Sequence, residues 1–258
     1  MDYFEKIEDI NGDLAWNFPE KKTGTVNIIG GNSQNFRTEI KISEYLAEKF
    51  PIKNVRTVLP DALEGKLPNL PNFMFIKSTE SGSFAEDEKL SETLNSADFS
   101  LLTGDFSKNS ITGKAISSAV RIAVKPTILT RDSVDLVIEN SPEKLLMNDN
   151  LIWFLSATQL QKLLRAVYYP KMFLLSQSLV QAAEVLHKFT LSYPVSIITL
   201  YNGQIFVVKN GLVRAVEIGK TGYSPIAIWN GELATKILTF NLFNPNAFLE
   251  ATVSALGI

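Results

Sequence analysis

Short apolar runs that alternate with stretches of helical period are what most constrain the fold of this chain. Val26-Asn27-Ile28-Ile29 reads as a strand that stops at Gly30-Gly31-Asn32-Ser33. Phe36, Ile40, Leu46 and Phe50 then stripe a helix that Pro51 ends. Strand-like runs at 55–59, 73–76, 99–102, 127–129 and 151–155 follow, interleaved with helical patterns at 86–95, 110–123, 157–167 and 177–189 and a helix opened by Pro142. Such alternation predicts right-handed crossovers and a mostly parallel sheet covered by helices on both faces. Late in the chain the signal changes to apolar runs at 195–201, 205–209 and 212–217, the last two joined by Asn210-Gly211. Asn-Gly between apolar runs favours a tight hairpin, so the sheet is expected to end in antiparallel strands at one edge. No repeat, low-complexity tract or linker divides the 258 residues. A single α/β domain is expected, with residues 1–24 as a lead-in segment that packs on it.

The stretch 224–232, ending in Trp229-Asn230-Gly231-Glu232, precedes a helix whose apolar positions are Leu233, Ile237, Leu238 and Leu242. Asn230 or Gly231 is placed to cap that helix, which puts the Glu232 carboxylate in its first turn. Two readings stay open. Helix N-termini attract anions through exposed N–H groups and the positive end of the dipole, and the same dipole simply stabilises an acidic first-turn residue.

Composition removes several classes of function. A formal net charge of −2 leaves no basic surplus for nucleic acid or an anionic membrane. With no cysteine and the single His187, disulfides, thiolate metal sites and multi-histidine metal sites are excluded, and no metal site is expected. A Ser-His-Asp triad would depend on His187, which falls in a helical stretch and reads as a surface or packing residue. No apolar run reaches the roughly 20 residues of a membrane span, and Met1-Asp2-Tyr3-Phe4-Glu5 lacks a signal-peptide charge pattern, so a cytoplasmic protein is expected.

The order of elements, with a glycine turn after an early strand, several strand–helix units, a late hairpin and a Gly-acid helix start, resembles the ribokinase-like superfamily. Within it the chain looks most like the ADP- or ATP-dependent NAD(P)H-hydrate dehydratases, over roughly residues 19–258. That resemblance implies a three-layer α/β/α fold, ATP or ADP with Mg²⁺ as cofactor, a small-molecule nucleotide ligand and a homo-oligomer. Gly30 and Gly31 resemble the family's strand ending in Gly-Gly-Ser, where glycine lets backbone pass close to a ligand. Gly104, in Leu101-Leu102-Thr103-Gly104-Asp105-Phe106, is what remains of Gly-Pro-Gly-Leu-Gly. Asp132 matches the second acid of Asp-Ala-Asp-Ala-Leu. These four residues are the candidate substrate contacts, with a plain turn at Gly30-Gly31 and a helix cap at Asp132 as the structural alternatives.

The family's Gly-(Thr/Ser)-Gly-Asp becomes Trp229-Asn230-Gly231-Glu232. The resemblance makes Asn230 and Gly231 the anion hole for a nucleotide phosphate and Glu232 the catalytic base. Gly203, in Leu200-Tyr201-Asn202-Gly203, matches a glycine of Leu-Lys-Gly-x-Gly-Thr, also on the nucleotide, while Leu200 and Tyr201 stand where Lys and Gly are expected. Phe154-Leu155-Ser156-Ala157-Thr158-Gln159 keeps none of the Thr-Pro-His-Pro-Gly-Glu loop.

Three functions therefore stand: a nucleotide-dependent hydrate dehydratase, a fold kept as a ligand-binding or structural module without the chemistry, and a sugar or vitamin kinase. Loss of the lysine and histidine weighs toward the second, because phosphoryl transfer is almost entirely positioning and electrostatics. The apolar stretch Tyr168-Tyr169-Pro170-Lys171-Met172-Phe173-Leu174-Leu175 is either core or an oligomer interface.

Overall fold

The structure, a computed structural model, describes residues 2–8, 10, 18–68, 70–221, 223–224 and 229–257. Positions 225–228 of the stretch before the Gly-acid helix, and 11–17 of the lead-in, lie outside the described residues. Among the described residues ten strands form one sheet, in the order β1-β10-β9-β8-β7-β6-β5-β2-β3-β4 with numbering along the chain. Seven of them, β2 (Thr23–Gly30), β3 (Ile52–Pro60), β4 (Phe73–Ile76), β5 (Phe99–Gly104), β6 (Thr127–Thr130), β7 (Leu151–Ser156) and β8 (Ser196–Tyr201), run parallel. β9 (Gln204–Lys209) and β10 (Leu212–Glu217) follow antiparallel.

Side chains of the central strands alternate between two cores, which is why those strands read as nearly continuous apolar runs. Ile29, Leu102, Leu129, Trp153, Leu155 and Ile197 pack on one face, against α2 (Glu88–Asn95), α3 (Ser110–Arg121), α4 (Asp132–Ile138), α5 (Pro142–Leu145), α6 (Ala157–Ala166) and α7 (Leu179–Ser192). Val26, Ile28, Leu101, Ile128, Ile152, Phe154 and Ile198 pack on the other, against α1 (Arg37–Lys49), α9 (Glu232–Phe243) and α10 (Phe248–Leu256). A short α8 (Ile218–Thr221) follows β10. Three layers result, as the alternation predicts.

Both late turns are Asn-Gly pairs with positive φ at each residue, 46° and 71° at Asn202-Gly203 and 50° and 78° at Asn210-Gly211, the primed geometry that matches strand twist. His187 is a packing residue: its Nδ1 bonds the Gly211 carbonyl and its ring stacks on Tyr3 at 3.8 Å. One segment of the lead-in joins the sheet, which its pattern does not suggest. Phe4–Ile7 forms β1, parallel to β10 at the outer edge of the sheet, and Arg214 of β10 pairs with both Glu5 and Glu250. Among the described residues no helix is long and apolar enough to cross a membrane.

Candidate functional site

The chain builds outward from β2 to β3 and β4, then returns to the far side of β2 with β5 and continues to β8. In such sheets the ligand crevice lies at a reversal of this kind, at the carboxyl ends of the strands, here β2 and β5. Gly30, Gly31, Gly104 and Asp132 all come together there. The Gly31 N–H donates to the Gly104 carbonyl at 2.9 Å, and the Asp105 N–H donates to Asp132 Oδ1 at 2.9 Å. Asp132, the first residue of α4, thus holds the neighbouring strand end, and the Ser133 Oγ exchanges hydrogen bonds with the Thr130 backbone just before that helix.

The chain's own side chains occupy the room these glycines leave. A Cβ on Gly30 would stand 2.6 Å from Glu39 Oε1 and against Thr103 Oγ1, and one on Gly104, at φ +107°, would strike Asp132 Oδ1. Glu39 enters from α1 and is fully buried. Thr103 Oγ1 donates to its Oε1 at 2.6 Å, while Oε2 has no hydrogen-bond partner among the described residues. Burial pushes the Glu39 carboxyl up to about 7, against the pull of the Thr103 hydrogen bond; more weakly, Asp105 raises it and Arg131 lowers it. Burial also raises the Asp132 carboxyl. Asp105 and Arg131 close the crevice with a two-point ion pair, 2.6 and 3.2 Å. Both residues are held at positive φ, 57° and 55°, a strained backbone for side-chain-bearing residues.

Glu39, Thr103, Asp105 and Arg131 escape a reading by sequence pattern. Only one signal was available, an acid three and seven residues before Ile42 and Leu46 on the buried stripe of α1.

On the other flank of α1 lies a cleft of about 540 Å³, lined by Thr38, Lys41, Ile42 and Tyr45 and by Asn230, Glu232 and Thr235 at the start of α9. Gly231 caps α9 at φ +95° and is buried so closely that a Cβ would meet Ile42 Cδ1 at 2.7 Å. Asn230 Oδ1 accepts from the Glu232 N–H at 3.0 Å, and Thr235 donates to the Gly231 carbonyl through N–H and Oγ1, at 3.0 and 2.6 Å. The Glu232 carboxylate is left exposed at the cleft. Lys41 is exposed too, and among the described residues it has no ion-pair partner. Burial raises the Tyr45 phenol, with the Glu232 charge adding to it.

The candidates therefore fall into two groups separated by α1, with Glu39 on one side and Lys41 and Tyr45 on the other. Gly203 joins neither: it forms the β8–β9 turn, three strands from β5, and its carbonyl accepts from the Ile218 N–H at 2.9 Å. Ser156 and Gln159 make a capping box at the start of α6, and Gln159 Nε2 reaches the Arg131 carbonyl at 2.8 Å. Tyr201 is buried, its hydroxyl donating to the Gln177 carbonyl at 2.6 Å.

No protein-family model matches the chain, and no curated protein matches it in sequence. Solved structures do match it in shape. A ribokinase-like superfamily protein of Enterococcus faecalis V583 superposes with a TM-score of 0.69 over 99% of this chain and 85% of its own, at 14% identity. An ADP/ATP-dependent NAD(P)H-hydrate dehydratase of Bacillus subtilis, co-crystallized with ATP/Mg²⁺, gives 0.57 over 94% and 83%, at 12% identity. An adenosine kinase of Anopheles gambiae gives 0.52 over 91% and 85%, at 10% identity. The chain thus has the ribokinase-like fold, as its order of elements predicts.

Proposed function

We propose that residues 1–258 form one ribokinase-like domain that binds the phosphates of ATP or ADP in the cleft between α1 and α9. The observation that carries this reading is the pairing of a helix start, shaped by the left-handed Gly231, with the unpaired Lys41 across the cleft. Dipole and cation both favour a phosphate, and Lys41 supplies the charge that Leu200 and Tyr201 do not. The cleft volume falls within the range usual for small-molecule sites. Among the described residues Glu232 is the only carboxylate lining the cleft, and no cluster of three or more ligating side chains exists. That set fits a Mg²⁺ carried mainly by nucleotide phosphates and water.

In the active form of this reading the protein is a hydrate dehydratase for NAD(P)H, with Glu232 as base and the crevice at Gly30, Gly31, Gly104 and Asp132 as substrate side. A binding module without turnover is the second reading. It is favoured by the crevice being filled by Glu39, Asp132 and the Asp105–Arg131 pair, and by the capping box standing in place of a histidine loop. A cytoplasmic homo-oligomer fits the exposure of Tyr168, Met172, Leu174 and Leu175, while Phe173 of the same stretch is core.

Calorimetric titration with ATP and ADP in Mg²⁺, alongside an assay for NAD(P)H-hydrate repair, separates these readings. Wild type should bind, and Lys41→Ala should weaken binding about three- to tenfold. Glu232→Gln should keep binding and lose turnover. Binding without turnover in the wild type selects the module, and absence of binding at millimolar nucleotide removes both.

A further inference from the structure

A second, smaller pocket, of about 230 Å³, opens on the opposite face of the sheet between α3 and the start of α5. Lys114, Ser117, Ser118 and Arg121 line it from α3, spaced so that they share one helix face, and Ser141 and Lys144 line it from the other side. The wall is built rather than incidental. Gly113 has no side chain where Asn140 packs, and Asn140 Nδ2 is held by the Leu136 carbonyl at 2.7 Å. Ser117 is 8% exposed, and its buried Oγ has no hydrogen-bond partner among the described residues. Ser141 sits in the left-handed region, at φ 61° and ψ 64°, and its side chain caps nothing.

The charges point one way. Among the described residues neither Lys114, Arg121 nor Lys144 forms an ion pair, and no acidic residue lines the pocket. Three cations lining one concavity give it a positive potential that favours an anion, and Ser118 and Ser141 add hydroxyl-bearing side chains to its lining. The space is below the roughly 300 Å³ at which sites for larger ligands begin. It therefore suits an anionic group of one or two phosphates and not a whole nucleotide.

We infer that the α3/α5 pocket is a binding site for a small phosphate-type oxyanion, supplied as free phosphate or pyrophosphate or as the phosphate end of a phosphomonoester. The site is separate from the α1/α9 cleft, on the other side of the sheet, and stands whether or not that cleft binds nucleotide.

The test is an amide chemical-shift titration of the full chain with inorganic phosphate, pyrophosphate and glycerol phosphate at constant ionic strength. Saturable shifts at Ser117, Ser118 and Ser141 are expected, and the three ligands tell free anion from monoester. Combining Lys114→Ala, Arg121→Ala and Lys144→Ala should weaken binding about tenfold or more, whereas Lys41→Ala should leave it unchanged. Ser118→Ala, which removes one partly exposed hydroxyl of the lining, carries the test if the triple variant folds poorly, with a loss of about threefold expected. Unsaturated shifts well above about 1 mM ligand, shifts reproduced by chloride, or an affinity indifferent to both variants would overturn the assignment.

Discussion

In a Glu39→Gln protein the buried carboxyl of α1 becomes an uncharged amide of nearly the same shape, still able to accept from Thr103 Oγ1. The substitution removes ionisation and little else. In the wild type this carboxyl is lifted from an ordinary 4.5 to about 7, chiefly by burial. A carboxyl with a higher pKa in the folded than in the unfolded chain is protonated more readily when folded. The stability it contributes is therefore complete below pH 4.5, falls as the pH rises, and is lost above about 7. At about 1.4 kcal/mol per pKa unit the swing is about 3 kcal/mol between pH 4 and pH 8. Asp132 is raised by burial too and slopes the same way, but it is common to both proteins and cancels in the difference. Urea unfolding of the two proteins across that range should show Glu39→Gln gaining on wild type by about 3 kcal/mol, or about 1 M in midpoint. A difference that stays within about 0.5 kcal/mol from pH 4 to pH 8 would mean that Glu39 is solvated or paired, and would refute the argument from burial.

Gly231→Ala should cost about 1–2 kcal/mol and lower Tm by about 3–6 °C, because φ is +95° and Ile42 blocks the new Cβ. Gly203→Ala, at φ +71° but facing open space, should cost less, and equal losses in thermal unfolding would show that the Ile42 contact is unimportant. Arg131→Gly and Arg131→Ala both lose the Asp105 pair, yet glycine also relieves the strain at φ 55°. The glycine variant should be more stable by about 1 kcal/mol in denaturant unfolding, and the reverse order would rule out backbone strain there. Trp153 is fully buried and its Nε1 has no partner among the described residues, so Trp153→Phe should cost well under half of the roughly 3–5 kcal/mol of Trp153→Ala. A similar cost for both would mean that the indole N–H has a partner.

The parallel sheet was legible because its strands are buried on both faces and its helices carry a different period. Asn210-Gly211 was legible for a local reason, since few pairs tolerate two consecutive positive φ values. Strand β1 was not, because Phe4-Glu5-Lys6-Ile7 shows no alternation and its partner, β10, lies far along the chain. Gly231 and Glu232 could be found at the helix start, whereas Lys41 faces them only through the packing of α1 on α9. Glu39 was hidden because the buried face of α1, Glu39, Ile42, Ser43 and Leu46, is half polar and does not look like a core stripe. The positive φ of Asp105 and Arg131 follows from how two strand ends meet, which no local pattern encodes.

The edge strand has a consequence for the order of assembly. Arg214 is 209 positions after Glu5, the residue it holds, so Phe4–Ile7 cannot dock until nearly all of the sheet exists. During synthesis at about 5–20 residues per second, that segment waits on the order of ten to forty seconds for its partner strand. Closing so large a loop contributes late and locally, and the outer strand should be the first to exchange its amide hydrogens while β2 and β5 remain protected. Until it docks, the backbone groups of β10 on that side stand open to any other extended chain, so the same four residues that finish the fold also cover that margin of the sheet.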